Sequence, residues 1–391
     1  MKLRFSPRAS LCGLLVLVVL ACFKPSVEGQ IRSRRELFFP DLPGMVTLRC
    51  DLHIHTVFSD GNVWPTTRVE EAWRDGLDCI ATTDHIEYLP HKKDIPTSFG
   101  RAYELAKPVA DAFGILLIRA AELTRSEPPG HWNALFVTNE TVLDQANYRV
   151  AVSNAIEQGA FVFWNHPGWK QPELKPVWYA EQEDVFTNGW LHGIEVVNGP
   201  DYYPLAHGWC QSKRLAMLGN SDVHDPIQFD YPGKQGEIRP MTLVFARERT
   251  VASVREALFA QRSVVFAKGR LYGNADYLAQ IFRGSIEVLN PNLQIRGKGS
   301  GLVQIRNKAP LPFELRLNPK LPELDVASQV VLQPGAVTTV PVSCASDRVT
   351  GDQSVGLPCR VLNLLVAPEK PLSTTLVVSV RFQAEETTPE R

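Results

Sequence analysis

From about residue 47 to residue 270, short apolar runs alternate with segments whose apolar positions recur every three to four residues. The runs at 45–54, 79–82, 115–121, 134–138, 160–164, 193–197, 214–219 and 242–245 read as strands. Helices fit between most of them, at 67–76, 99–113, 148–158, 203–213 and 253–261. The first is expected to be capped by Thr66 or Thr67 and stopped at Gly76, and the last to be capped by Ser253. Strand and helix alternating this often predict an α/β domain with a mostly parallel sheet, either closed as a barrel or open and doubly wound. No Gly-x-Gly-x-x-Gly or Walker-type loop occurs, so a dinucleotide or P-loop fold is not supported.

After about residue 284 the pattern changes. Alternating runs at 285–289, 301–306, 313–317, 330–332, 338–342, 361–366 and 374–382 are separated by Pro and Gly clusters, with no helical period. That predicts a small all-β sandwich at 284–383, following an α/β domain at 47–283. The polar tail at 384–391 reads as disordered, and residues 30–46 as a leader, charged at first and then marked by Phe38, Phe39, Pro40 and Pro43.

The N-terminus reads as a targeting segment. Lys2, Arg4 and Arg8 precede an apolar run from Leu11 to Cys22 that is too short to span a bilayer comfortably. A cut after Gly29, with Val27 three positions back, would make residues 1–29 a signal peptide. Alternatively Val19-Leu20-Ala21-Cys22 offers a lipobox, poorly matched at Leu20, with Cys22 as a lipid anchor. Either exit implies an exported protein, periplasmic or secreted. With 41 Lys and Arg against 42 Asp and Glu, nothing points to a nucleic-acid polymer as partner.

Of seven cysteines, Cys12 and Cys22 fall in the targeting segment. The remaining five include no Cys-x-x-Cys pair, which argues against a thiolate zinc site. Cys50 and Cys79 lie in apolar runs and read as small buried side chains, whereas a disulfide between Cys344 and Cys359 stays open.

All nine histidines lie between residues 53 and 224, and several follow strand ends. In Asp51-Leu52-His53-Ile54-His55 the alternation of a strand sends Asp51, His53 and His55 to one side, where two imidazoles can share a metal ion. Ser59-Asp60-Gly61 then turns the chain. His85 follows the run at 79–84, Glu122 ends the run at 115–121, His166 follows 160–165, and Asp222 and His224 follow 217–221. His131 begins a run instead of ending one. Loops at the carboxyl ends of strands converge in barrels and doubly wound sheets, so these nine side chains are expected to meet.

The ordered set resembles the PHP family (polymerase and histidinol phosphatase), metal-dependent phosphoesterases built on a distorted (β/α)7 barrel. The resemblance covers residues 47 to 270 and rests on Asp51-Leu52-His53-Ile54-His55, Ser59-Asp60-Gly61, Thr83-Asp84-His85, Glu122, His131, Asn165-His166-Pro167 and Ser221-Asp222-Val223-His224. It implies two or three divalent transition metals. His53, His55, Glu122 and Asp222 would hold the first, and Glu122 would bridge to a second on His131 and His166. Asp60, His85 and His224 would hold the third, although some relatives have histidine where Asp60 stands. Mixed imidazole and carboxylate ligands suit Zn, Mn or Fe.

The activity implied is hydrolysis of a phosphate mono- or diester in a small phosphorylated substrate, by water activated between metals, with Asp222 and His224 at the reacting centre. Arg125 could clamp a phosphate oxygen or be an ordinary loop residue. Asp51 and Asp84 are candidates for orienting imidazoles. His91 reads as surface or as a contact to an anionic substrate, and His192 and His207 as structural. Trp164, Trp169, Trp178, Tyr179, Tyr202 and Tyr203 cluster after later strands, where some could wall a pocket and stack on a base or sugar. Two rivals remain: hydrolysis of an amide or lactone on the same metals, and a non-catalytic metal- or polymer-binding protein. The β-sandwich could contact a glycan or only shield the first domain.

Overall fold

The computed structural model describes residues 33–96, 98–232, 237–346 and 349–384. The expected signal peptide, Cys22 and the expected tail beyond 384 lie outside the described residues. The described residues from 34 onward form one compact unit.

Among the described residues, eleven strands and eight α-helices precede the sandwich. The strands are β1 (Val46–Ile54), β2 (Cys79–Thr82), β3 (Leu116–Leu123), β4 (Trp132–Leu135), β5 (Phe161–Trp164), β6 (Gly193–Asn198), β7 (Asp201–Tyr202), β8 (Ala216–Asn220), β9 (Met241–Ala246), β10 (Ser263–Ala267) and β11 (Arg270–Gly273). The helices are α1 (Pro65–Arg74), α2 (Arg101–Phe113), α3 (Tyr148–Glu157), α4 (Ala180–Thr187), α5 (Pro204–Lys213), α6 (Ile227–Asp230), α7 (Val251–Phe259) and α8 (Ala275–Ser285). The eight expected strands fall at β1–β6, β8 and β9 to within a few residues, whereas β7, β10 and β11 and the caps were not anticipated. No threonine caps α1; Pro65 opens it, its fixed φ suiting the first helical position. Thr250, not Ser253, caps α7 by accepting from the Ser253 amide.

The strand order departs from a regular parallel barrel. β1, β2 and β3 pair in parallel, β4 runs antiparallel to both β3 and β5, and β5, β6 and β8 are parallel again. The first domain is therefore a mixed α/β domain. Antiparallel β4 also explains the odd position of His131: the start of β4 lies beside the end of β3, so a residue opening β4 joins residues closing its neighbours.

The C-terminal domain consists of two sheets, as its alternation predicts. Its strands are β12 (Ile286–Val288), β13 (Leu293–Arg296), β14 (Ser300–Asn307), β15 (Phe313–Leu317), β16 (Leu324–Val326), β17 (Gln329–Leu332), β18 (Val337–Cys344), β19 (Gly351–Ala367) and β20 (Lys370–Gln383). One sheet has the order β12-β14-β18-β16, and the other contains β13, β20, β19, β15 and β17. Cys344 and Cys359 fall on different sheets and are free thiols. The second sheet does not stop at the domain boundary: β19 pairs in parallel with β11 through Leu271–Leu364 and Tyr272–Leu365.

Residues 34–46 are not a detached leader. Leu37, Phe39 and Leu42 are buried in the core of the first domain, with the Phe39 ring 5.5 Å from Phe266. Arg34 donates to Asp78 at 3.0 Å, and Asp78 also takes Arg49 Nε at 2.6 Å and Arg249 Nη1 at 2.5 Å. Burial opposes charge on Asp78, but the arginines, Arg49 foremost, hold its carboxyl below the usual range. Asp78→Asn should therefore destabilise the protein by about 2 kcal/mol, the low side for a buried pair because the guanidiniums are partly exposed. The depressed value has a definite sign. Its contribution is complete above the unfolded carboxyl value of 3.8 and fades as pH falls through the folded one. Urea titrations at neutral pH and near pH 3 should thus show the gap between wild type and Asp78→Asn narrowing in acid.

Candidate metal centre

The alternation of β1 turns His53 and His55 to one side, and both imidazoles are fully buried. Their Nε2 atoms stand 3.1 Å apart. Asp222 Oδ1 lies 3.1 Å from one and 3.0 Å from the other, and Glu122 Oε2 lies 3.2 and 3.1 Å from them.

In the neutral imidazoles, hydrogen bonds on the outer side fix which nitrogen faces inward. His53 Nδ1 is 2.9 Å from Glu195 Oε1, on β6. Glu195 is a buried carboxylate that also accepts from Asn220 at 2.8 Å, Asn198 at 2.9 Å and the His166 amide at 2.7 Å. A carboxylate so placed accepts from Nδ1, which leaves the Nε2 lone pair of His53 facing inward. Ser59 Oγ donates to Asp84 at 2.7 Å, so its oxygen is free to accept from His55 Nδ1 at 3.3 Å, and the His55 Nε2 lone pair faces inward too. Two lone pairs and two carboxylate oxygens converge on one point, and Asp222 Oδ1 is buried without a hydrogen-bond partner. This donor set fits a divalent cation, with Glu195 fixing the ring that holds it.

Two further groups adjoin it. His131 Nδ1 is 2.7 Å from Glu122 Oε1, and His166 Nε2 is 3.7 Å from the same oxygen. Asp60 Oδ1 lies 3.4 Å from His85 Nε2 and 3.3 Å from His224 Nε2. His85 faces both ways. Its Nδ1 is 3.1 Å from Glu122 Oε2 and 2.6 Å from Thr124 Oγ1, so it also groups with Glu122 and His131. The structure thus brings all nine expected side chains together, with Glu122 in the middle.

Electrostatics agree with a site built for cations. Burial disfavours charge on His53, yet Asp222, Glu195 and Glu122 raise its pKa well above the usual value. His85 is pushed up to about 10, burial again overcome by Glu122 and by the hydrogen bond to Asp60. Burial works against ionised Glu122 and Asp222 as well, but the surrounding imidazoles hold both carboxyls below the usual range. His131 goes the other way, because burial outweighs its contact with Glu122. The carboxylates favour positive charge on the imidazoles, and a bound cation would take the place of the proton on the inward nitrogens.

The backbone is shaped to deliver these groups. A Cβ on Gly61 would sit 2.7 Å from the His55 carbonyl carbon, so only glycine lets the Ser59-Asp60-Gly61 turn fold back over the strand end. His166 and Asp222 both take positive φ, 27° and 54°, the kind of strain found where a side chain must be aimed. Arg68, buried on α1, ties the two ligand loops together. It donates to the carbonyls of His55 at 2.9 Å, Val223 at 3.1 Å, His224 at 2.6 Å and Asp225 at 2.8 Å, and pairs with Glu71 at 2.8 Å.

Several expectations are corrected by position. Both Nη atoms of Arg125 are engaged, by the Thr124 carbonyl at 2.7 Å, the Gln145 carbonyl at 2.5 Å and Glu87, so the bidentate phosphate clamp is not formed. Asp84 acts on His55 only through Ser59. Asp51 touches no imidazole. It accepts from the Ser221 amide at 3.0 Å and from Arg239 at 3.1 Å, anchoring the loop that carries Asp222. His192 accepts from the Val162 amide at 3.0 Å and His207 bonds Tyr202 at 2.9 Å, both structural roles. Of the aromatic cluster, Trp164 and Tyr203 are buried, although Trp164, like Trp169, borders the cavity.

Glu195 and Arg68 escaped the sequence reading. The signal for Glu195 was present: a single carboxylate inside the apolar run Gly193-Ile194-Glu195-Val196-Val197, which has no reason to be buried unless it is paired. Glu195→Gln should lower metal affinity about 10- to 100-fold, the usual effect of removing the partner that orients a ligating imidazole. Metal competition with a chromogenic chelator measures it.

The centre forms the floor of an open cavity of about 880 Å³ that Asp60, His85, Glu122, His131, His166, Asp222 and His224 border. Fold and site together define a metal-dependent hydrolase. The comparisons narrow this. A crystal structure of a two-domain protein of Bacteroides vulgatus containing a predicted PHP-like metal-dependent phosphoesterase is 40% identical, covers 88% of this chain and 99% of that one, and superposes with a TM-score of 0.82. An uncharacterized protein of Methanocaldococcus jannaschii is 27% identical over 195 residues, 46% of this chain and 83% of its own length. An amidohydrolase of Chromobacterium violaceum, solved with sulfate and no metal, is 16% identical over 45% of this chain and 88% of its own, with a TM-score of 0.34, too distant to bear on chemistry. Residues 286–377 match a family of Ig-like domains. The chain belongs to the PHP family, and its C-terminal domain is Ig-like.

Proposed function

We propose that the protein hydrolyses phosphate esters, and that its nine clustered side chains hold two or three divalent transition metals. The observation that carries this reading is the pair of inward lone pairs on His53 and His55, 3.1 Å apart and facing two carboxylates. His53, His55, Glu122 and Asp222 would hold one cation, with Glu122, His131 and His166 around a second and Asp60, His85 and His224 around a third. Zn, Mn and Fe all suit such ligands. Bound there, the cations supply Lewis acidity, activating water and neutralising phosphoryl charge.

The chain's own residues hold that chemistry in place. Glu195 and Ser59 keep Nδ1 of His53 and His55 protonated, so that Nε2 is always the ligating atom. Asp222 and His224 border both the buried floor and the open cavity, where the reacting phosphoryl group would stand. Arg68 holds their loop against β1. Contacts between the end of β8 and the end of β1 support reading the first domain as a distorted (β/α)7 barrel. Asp222 N donates to the His53 carbonyl at 2.9 Å and His55 N to the Val223 carbonyl at 3.1 Å. The basic and apolar N-terminal segment supports export, so the small phosphorylated substrate would be met outside the cytoplasm.

Phosphate release from phenyl phosphate and phenol release from diphenyl phosphate test the reading, on protein stripped with chelator and reloaded with Zn, Mn or Fe. Metal-dependent turnover of either ester is expected. Turnover of a lactone or an N-acyl amide with none of either phosphate ester would refute it.

A further inference from the structure

The cavity is much larger than the metal centre at its floor, and its outer wall has a chemistry of its own. Trp169 sits at this wall, its ring centroid 5.3 Å from His131 and 5.1 Å from His166. It is 43% exposed. Its place is nevertheless set. A Cβ on the preceding Gly168 would come within 2.3 Å of the Leu174 carbonyl oxygen and 2.7 Å of the Tyr203 ring. The Trp169 amide donates to the His166 carbonyl at 2.8 Å, and the Gln171 amide to the Gly168 carbonyl at 3.0 Å. The exposed Lys170 ammonium stands over this indole, 3.7 Å from the ring centroid, and borders the same cavity, so a ligand ring would stack on the indole by moving this side chain aside or on the face it leaves open.

Glu127 borders the same cavity, and its Oε1 is buried with no hydrogen-bond partner. Arg125, two residues away, cannot serve it, because its guanidinium is committed to Glu87, Thr124 and Gln145. The Gln171 side chain does reach Glu127 and also bonds Tyr179 at 3.3 Å. A buried carboxylate oxygen without a donor is unfavourable unless a ligand brings one. A platform flanked by an acceptor carboxylate and an amide matches a ring with an apolar face and hydroxyl groups at its edge.

We propose that the cavity takes a phosphorylated sugar, with the ring on Trp169 and ring hydroxyls donated to Glu127 and Gln171. This rests on the phosphoesterase reading and names the substrate class for the same site. Glu127 and Trp169 are then specificity-determining residues, and the phosphoryl group lies toward Asp222 and His224.

The test compares glucose 1-phosphate and glucose 6-phosphate with phenyl phosphate, which has a ring but no hydroxyls, and glycerol 1-phosphate, which has hydroxyls but no ring. At least one sugar phosphate should exceed both comparators in kcat/KM by about 10-fold or more, since a site that hydrogen-bonds a hydroxyl discriminates strongly against analogues lacking it. Glu127→Gln should lower kcat/KM for that sugar phosphate about 10-fold, mainly through KM, and change phenyl phosphate by less than about 3-fold. Independently of turnover, the better sugar phosphate should quench tryptophan fluorescence in the wild type and not in Trp169→Phe. Hydrolysis of phenyl phosphate that equals or exceeds that of both sugars overturns the proposal and leaves the phosphoesterase reading intact. So does a Glu127→Gln effect equal on all four esters. Turnover of none of the four refutes the phosphoesterase reading, and the proposal with it.

Discussion

Glu122→Gln is expected to abolish hydrolysis, lowering kcat/KM by about 10³ or more. Glu122 is fully buried and touches five of the six clustered histidines: Oε2 lies 3.2 Å from His53, 3.1 Å from His55 and 3.1 Å from His85, and Oε1 lies 2.7 Å from His131 and 3.7 Å from His166. The amide keeps the shape and one acceptor oxygen but removes the charge that would bridge two cations. A metal ion contributes several kcal/mol of charge stabilisation in the transition state, and about 4 kcal/mol corresponds to the stated factor. The fold should survive, because the buried carboxylate is replaced by a neutral group of the same size. Circular dichroism distinguishes this loss from unfolding. Wild-type activity in a folded Glu122→Gln protein would contradict the central position given to this residue.

Removing residues 286–391 should leave no soluble, folded first domain. The boundary is not a linker: β11 pairs with β19, and α8 buries Leu278, Ile281 and Phe282. The Phe282 ring packs edge-on to Phe313 of the sandwich at 5.0 Å. Leu271, Leu278, Ile281 and Phe282 belong to the same buried cluster as Leu311, Phe313 and Leu364. Burying one such side chain is worth about 1.5–3 kcal/mol, so exposing these four forfeits roughly 6–12 kcal/mol. That equals the whole stability of an ordinary domain, about 5–15 kcal/mol. Soluble yield and a thermal melt of the truncated chain check the expectation. A monodisperse fragment with a cooperative melt would show that the Ig-like domain only decorates the first.

The candidate ligand set was readable because metal chemistry leaves a pattern that one dimension preserves. Histidine and carboxylate recur at strand ends, and the alternation of one strand turns His53 and His55 the same way. The antiparallel course of β4 was not readable from its apolar run at 134–138, which carries no sign of direction; His131 was the one hint. Arg125 shows the opposite limit. Its spacing from Glu122 suggested a phosphate clamp, but the Glu87 and Gln145 acceptors that capture it lie 38 and 20 positions away in the chain, where local pattern has no reach. Residues 34–46 looked like a leader because charge and proline dominate them. Their three buried apolar side chains and Arg34 acquire partners only once Asp78 and Phe266 are in place.

The most direct test of the metal centre is elemental analysis of the purified protein, wild type and His53→Ala, after reconstitution with Zn, Mn and Fe in turn. Two or three equivalents in the wild type, falling by at least one in the variant together with loss of phenyl phosphate hydrolysis, is the predicted result. Less than one equivalent in the wild type with every metal would contradict it, and the facing lone pairs of His53 and His55 would then need another partner.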